Sequence, residues 1–95
     1  MKILSIVGAR SQLIKSIVLS HQLMASKIDE VMLYTGEYPD DSITPVFFEE
    51  MDAIEPKYKL GIQSMNPGAM VGKMLEGIEN AILLEKPDFV LVYGD

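Results

Sequence analysis

Apolar positions divide this chain into short runs that suit strands, separated by longer patterns that suit helices. Ile3, Leu4, Ile6 and Val7 form a nearly continuous apolar segment of the kind buried on both faces of a parallel sheet. Gly8 then allows a sharp turn. From Ser11 onward, Leu13, Ile17 and Met24, with Ile14 and Val18 beside them, recur at helical spacing and predict a first helix with that face inward. Glu30 to Tyr34 reads as a second strand closed by Thr35-Gly36, and residues 37 to 45 are turn-rich. Phe47, Met51 and Ile54 predict a short helix with Glu49 and Glu50 in solvent. Tyr58, Leu60 and Ile62 alternate with Lys59 and Gly61, as in a half-buried edge strand. Asn66-Pro67 is a strong helix start, with Asn as N-cap and proline at the first helical position. Val71, Met74, Leu75, Ile78 and Ile82 then line one face. Lys86-Pro87 ends that helix, and Phe89 to Tyr93 is composed like an interior parallel strand. The order β-α-β-α-β-α-β predicts an α/β fold with part of a doubly wound parallel sheet.

In such sheets the fourth strand commonly lies beside the first, and ligands bind where the chain connections diverge between them. That order would set Asp95 across from Gly8 and Arg10. A helix beginning near Ser11 would aim its free N–H groups above Gly8, where an anion could sit, and Arg10 and Lys15 would add full positive charges. Two plainer readings stay open on these residues alone. Arg10 and Lys15 could be solvated cations, and Asp95 could be the N-cap of a following helix.

The chain has 95 residues, 48% of them hydrophobic, enough for a globular core and for at most one domain. A net charge of −6 and a pI near 4.6 disfavour nucleic-acid and anionic-membrane partners, so a phosphate ligand must be held by a few placed cations. There is no cysteine, hence no disulfide, thiolate metal site or thiol nucleophile. The N-terminal apolar stretch is too short for a signal peptide or a membrane span, and the expected location is cytoplasmic.

Several motifs fail on inspection. The turn Gly8-Ala9-Arg10-Ser11-Gln12-Leu13 lacks the second and third glycines of a dinucleotide fingerprint, and no cofactor is expected. The stretch Gly68 to Lys73 has proline at the first P-loop glycine position, and Met74 stands at the magnesium-binding hydroxyl. His21 shares the face of Leu13 and Ile17 and reads as a packed helix residue. The methionines, Met65, Met70 and Met74 among them, read as gap-fillers. Asp40-Asp41 reads as a solvated turn, and no metal site is expected.

Taken together, Gly8-Ala9-Arg10, Ile14-Lys15, Val46-Phe47-Phe48-Glu49-Glu50, Met74-Leu75-Glu76-Gly77 and Val92-Tyr93-Gly94-Asp95 give a chain that resembles the non-hydrolysing UDP-N-acetylglucosamine 2-epimerases. The resemblance runs from Ile3 to Asp95. It implies two Rossmann-like domains in a glycosyltransferase B-type arrangement, with a UDP-sugar in the cleft and usually a homodimer. Residues 1–95 would be an incomplete N-terminal domain, with the second domain absent. The family reaction eliminates UDP to an unsaturated sugar and adds it back with carbon 2 inverted. By resemblance, Gly8, Arg10 and Lys15 face the substrate's diphosphate, and Asp95 is the acid/base or active-site carboxylate.

Ser11 and Val18 stand where the family usually has prolines, and Pro67, Ala69, Met70 and Val71 stand where more polar residues are common. Glu37-Tyr38 replaces a Gln-His pair that contributes, in bacterial members, to a regulatory nucleotide-sugar site. The resemblance leads to an N-terminal portion of such an epimerase, inactive alone or completed by another polypeptide. The alternatives are a nucleotide-binding or interaction module without catalysis, and a fragment of a sugar-nucleotide glycosyltransferase. Phe89 to Tyr93 lacks an outer neighbour in this sequence, so that edge is expected to self-associate.

Overall fold

The computed structural model describes residues 1–36, 44–63 and 66–93. Its elements, in chain order, are β1 (Lys2–Val7), α1 (Arg10–Ala25), β2 (Asp29–Tyr34), α2 (Pro45–Glu50), β3 (Tyr58–Lys59), α3 (Pro67–Glu85) and β4 (Phe89–Val92). The four strands form one sheet in the order β3-β2-β1-β4, and every pairing is parallel. Leu4 of β1 stands opposite Val31 on one side and Val90 on the other. The β1 and β4 starts are also tied reciprocally: the Lys2 N–H donates to Asp88 Oδ2 at 2.7 Å and the Asp88 N–H to the Lys2 carbonyl at 2.8 Å.

Side chains alternate across the sheet and make two cores. Val7, Met32 and Tyr34 point to one face and pack with Leu13 of α1 and with Phe47 and Phe48 of α2, and Tyr93 joins them at the edge. Leu4, Val31 and Leu33 point to the other face, where Ala81, Ile78 and Ile82 of α3 cover them together with Tyr58 and Leu60. Helices on both faces of a parallel sheet are the doubly wound arrangement that the element order predicts.

The strand positions and α3 follow the sequence reading, but the buried faces of α1 and α3 differ from it. On α1, Leu13, Ser16, Ser20 and Leu23 are buried, whereas Ile14, Val18 and Met24 are exposed. Serines allow close approach to the sheet, and Ser16 satisfies its own hydroxyl by donating to the Leu13 carbonyl at 2.7 Å. His21 is likewise exposed rather than packed; its Nε2 lies 2.8 Å from the Asp52 carbonyl. On α3, Ala81 and Glu85 are buried while Val71 and Leu75 are exposed. Gly77 explains this choice of face, since a β-carbon there would stand 2.6 Å from a Leu60 methyl.

Three boundaries also differ. Helix α2 stops at Glu50, so Ile54 lies beyond it; the chain reverses at Asp52, whose φ is 51°. Strand β3 is only two residues long, leaving Leu60 and Ile62 outside it. Asn66 does occupy the N-cap of α3, but its side chain makes no capping hydrogen bond. Strand β4 pairs with β1 alone among the described residues, and Phe89, Val90 and Val92 are exposed. The turn residues Asp40-Asp41, the Glu37-Tyr38 pair and Met65 lie outside the described residues.

Candidate functional site

The C-terminal ends of β1, β2 and β4 meet where the chain leaves β1 for α1. Ala9 is the N-cap of α1 in an extended conformation (φ −152°, ψ 160°), and no side chain caps the helix there. The first turn contains no acidic residue. A 16-residue helix thus presents the positive end of its dipole at this edge of the sheet.

Arg10 is the first residue of that helix, and its guanidinium carbon lies 5.3 Å from the centre of the Phe47 ring. Phe47 is held in turn by its own helix start. Thr44 caps α2, its Oγ1 accepting the Phe47 N–H at 3.2 Å, and Phe48 packs edge-on against the Phe47 ring at 5.4 Å. The aromatic face under Arg10 is therefore part of the core, which confines the guanidinium. Lys15 is exposed farther along α1, about 140° around the helix from Arg10 at 3.6 residues per turn. The two cations occupy one helix but different faces of it.

Gly8 lies in close quarters. A β-carbon there would come within 3.0 Å of Thr35 Oγ1, and Thr35 is buried with its N–H donated to the Val7 carbonyl at 2.9 Å. The Gly8 N–H is engaged by Gln12, whose Oε1 accepts it at 2.7 Å. Gln12 Nε2 donates to the Tyr93 carbonyl at 3.2 Å, so one carboxamide bridges from the β1–α1 turn to the end of β4. Sequence reasoning passed over Gln12. The signal was present, because a glutamine three residues after an N-cap is placed to reach back to N–H groups ahead of the helix.

Tyr93 also anchors that end through its ring, which packs on the α1-side core. Its hydroxyl is buried and has no hydrogen-bond partner among the described residues. Burial first, and then the negative charge of Glu30, raise its pKa above the ordinary tyrosine value. Glu30 itself accepts from the buried Ser5 hydroxyl at 2.5 Å through Oε2. Gly94 and Asp95 lie outside the described residues, but β4 does lie beside β1.

A second polar cluster stands near the opposite ends of the strands. Glu85, 8% exposed, receives Lys57 Nζ at 2.7 Å, the Tyr58 hydroxyl at 2.5 Å and Lys2 Nζ at 3.1 Å. Those donors, led by Lys57, hold its carboxyl down from 4.5 to about 2. This cluster ties α3 to β1 and β3 with every charge paired, so it reads as structural support. Among the described residues no three carboxylate or imidazole side chains converge as a metal site, and no helix is long and apolar enough to cross a membrane.

Comparison with known proteins agrees with this fold. The family model for UDP-N-acetylglucosamine 2-epimerase matches residues 21–95. The chain is 44% identical to the UDP-2,3-diacetamido-2,3-dideoxy-D-glucuronate 2-epimerase of Pseudomonas aeruginosa and 43% identical to a UDP-N-acetylglucosamine 2-epimerase homolog of Methanococcus maripaludis. All of this chain aligns in both cases, against 27% and 26% of the relatives. The chain thus spans about a quarter of the length of the curated relatives it matches. It superposes over its whole length on the crystal structure of the Methanocaldococcus jannaschii UDP-GlcNAc 2-epimerase in complex with UDP-GlcNAc and UDP, with a TM-score of 0.88 and 39% identity, covering 26% of that chain. A Neisseria meningitidis UDP-GlcNAc 2-epimerase, 21% identical, shares the fold with a TM-score of 0.80 over all of this chain and 26% of its own. By its family match, its relatives and its α/β architecture, the chain belongs to the UDP-N-acetylglucosamine 2-epimerase family.

Proposed function

We propose that residues 1–95 form the diphosphate-facing portion of the N-terminal domain of an epimerase that inverts carbon 2 of a UDP-sugar. The carrying observation is the uncapped, acid-free start of α1 beside β4, with Arg10 seated over Phe47 at its mouth. A departing UDP gains negative charge at its terminal phosphate as the bond from carbon 1 to oxygen breaks. The helix end and Arg10 would stabilise that charge, and Lys15, on another face of α1, would add only to the positive field around it. Asp95 would serve as acid/base group at the reacting carbon, where a proton leaves carbon 2 from one face and returns to the other. The remaining carboxylates and the second nucleotide-binding wall would come from the further length that relatives possess. A complementing polypeptide or a second copy of the chain would be a partner of this portion, and the chain alone is expected to turn over no substrate.

The Pseudomonas aeruginosa relative favours a second reading of the sugar. The glucuronate named for that enzyme carries acetamido groups at carbons 2 and 3, so the substrate here could be a diacetamido uronic acid rather than UDP-N-acetylglucosamine. Carbon 2 bears an acetamido group in both, and the reaction would be the same.

Titrating the labelled chain with UDP, followed by NMR, tests the site. Shifts are expected around Gly8 to Gln12, with weak affinity because only one wall of the cleft is present. Arg10→Ala should weaken binding about tenfold, the low end of a charge-assisted contact because Arg10 is exposed. Shifts confined to the Glu85 end of the sheet would sink the assignment. A coupled assay with UDP-N-acetylglucosamine tests the expected lack of turnover.

A further inference from the structure

We propose that Gln12 is a positioning residue that locks the β1–α1 turn to the end of β4, so that binding at the turn is felt at Tyr93. This rests on the reading of the turn as a nucleotide site. The orientation of the carboxamide follows from its partners: the Gly8 N–H at 2.7 Å requires an acceptor, and the Tyr93 carbonyl at 3.2 Å requires a donor. A carboxamide carries both functions at one tip, whereas ionised Glu and Asp only accept and Lys and Arg only donate. Tyr93 is a firm attachment point, because its ring is packed on the α1-side core. It stands two residues before Asp95 in the sequence. The consequence for the anion site is specific. With its N–H taken, Gly8 supplies room rather than a donor, and the donors left to an anion are those of the helix start that follows.

Two substitutions separate the two halves of the tie. Gln12→Glu keeps an oxygen for the Gly8 N–H but sets a second oxygen against the Tyr93 carbonyl, whereas Gln12→Met removes both bonds at similar length. In the free 95-residue chain, the Gly8 amide should exchange with solvent about fivefold faster in Gln12→Met, the effect of one ordinary hydrogen bond, and no faster in Gln12→Glu. The Tyr93 carbonyl carbon resonance should move in both. On adding UDP, shifts at Gly8 to Ser11 should survive Gln12→Met, which adds no charge to the first turn, while the accompanying shift at Tyr93 should vanish. A uniform loss of stability would not produce that split. A Tyr93 carbonyl unmoved by Gln12→Glu, or a UDP response at Tyr93 as large in Gln12→Met as in the unsubstituted chain, overturns the tie. Absence of any UDP shift in the unsubstituted chain overturns the nucleotide reading, and the carbonyl resonance still decides the tie.

Discussion

Gly36 faces the carbonyl oxygen of Gly8 so closely that a β-carbon at Gly36 would stand 2.9 Å from it. The same atom would meet the Tyr34 hydroxyl at 2.9 Å, so the ends of β1 and β2 are packed backbone to backbone beneath the candidate site. Gly36→Ala must displace main chain and should cost about 1–3 kcal/mol, typical of overpacking. Gly72 is the contrasting position: it lies inside α3, where an added β-carbon would have nothing within 4 Å of it. Gly72→Ala should raise stability by about 0.5–1 kcal/mol through helix propensity. Urea unfolding of both variants checks the pair, and equal effects would contradict the packing described.

The Glu85 cluster makes stability fall on the acid side. The carboxyl sits at about 2 in the folded chain against an ordinary 4.5, so the folded state binds fewer protons than the unfolded one between those values. Its contribution is complete above pH 4.5 and is lost as pH falls toward 2. The thermal midpoint should drop through that window, and Glu85→Gln should flatten the drop while lowering the midpoint at neutral pH. Lys57 and Tyr58 are both shifted upward by Glu85, so a second decline is expected as pH rises through and above 10. An acid limb as steep in Glu85→Gln as in the unsubstituted chain would assign the acid sensitivity elsewhere.

Tyr93 carries a buried hydroxyl with no partner among the described residues, which costs stability. Tyr93→Phe should therefore stabilise the chain by about 1 kcal/mol, the lower end of the penalty for an unsatisfied buried group. Glu30→Gln should bring the Tyr93 phenol back toward its ordinary pKa, because the Glu30 charge is one of the two causes of its rise. Carbon NMR of the Tyr93 ring follows that titration. A destabilised Tyr93→Phe would mean that the hydroxyl has a partner in solution.

Strand β4 is bordered on one side only among the described residues, and Phe89, Val90 and Val92 are exposed along it. An apolar strand with an open edge pairs readily with another chain. Self-association that rises with concentration is expected in light scattering, and Val92→Lys should reduce it. A monomer at all concentrations would contradict this.

The strands and the long third helix were legible because each rests on local chemistry. Continuous apolar runs at Ile3 to Val7 and Phe89 to Tyr93, the Asn66-Pro67 start and the Lys86-Pro87 stop act within a few residues. The inward face of α1 was not legible. Apolar side chains surround much of that helix, so periodicity alone does not rank Ile14 and Val18 against Ser16 and Ser20. The choice falls to how closely the backbone can approach the sheet. Leu60 similarly decides the face of α3 through Gly77, a contact between distant parts of the chain. Gln12 was missed because its second partner, Tyr93, is 81 residues away. Arg10 was legible as a cation, but the Phe47 ring beneath it was not.

The position of β4 next to β1 has a consequence for the order in which the protein takes shape during synthesis. Strands β1 and β2 with α1 between them are complete once Tyr34 has been made, but the hydrogen bonds joining Lys2 to Asp88 span 86 residues. The roughly 60 residues between Tyr34 and Val92 take on the order of 3–12 s to translate. For that interval the edge of β1 that will face β4 has no strand to pair with, and Gln12 has no Tyr93 carbonyl to reach. The crevice is thus a late-formed part of this unit, closed by a contact that spans 81 residues.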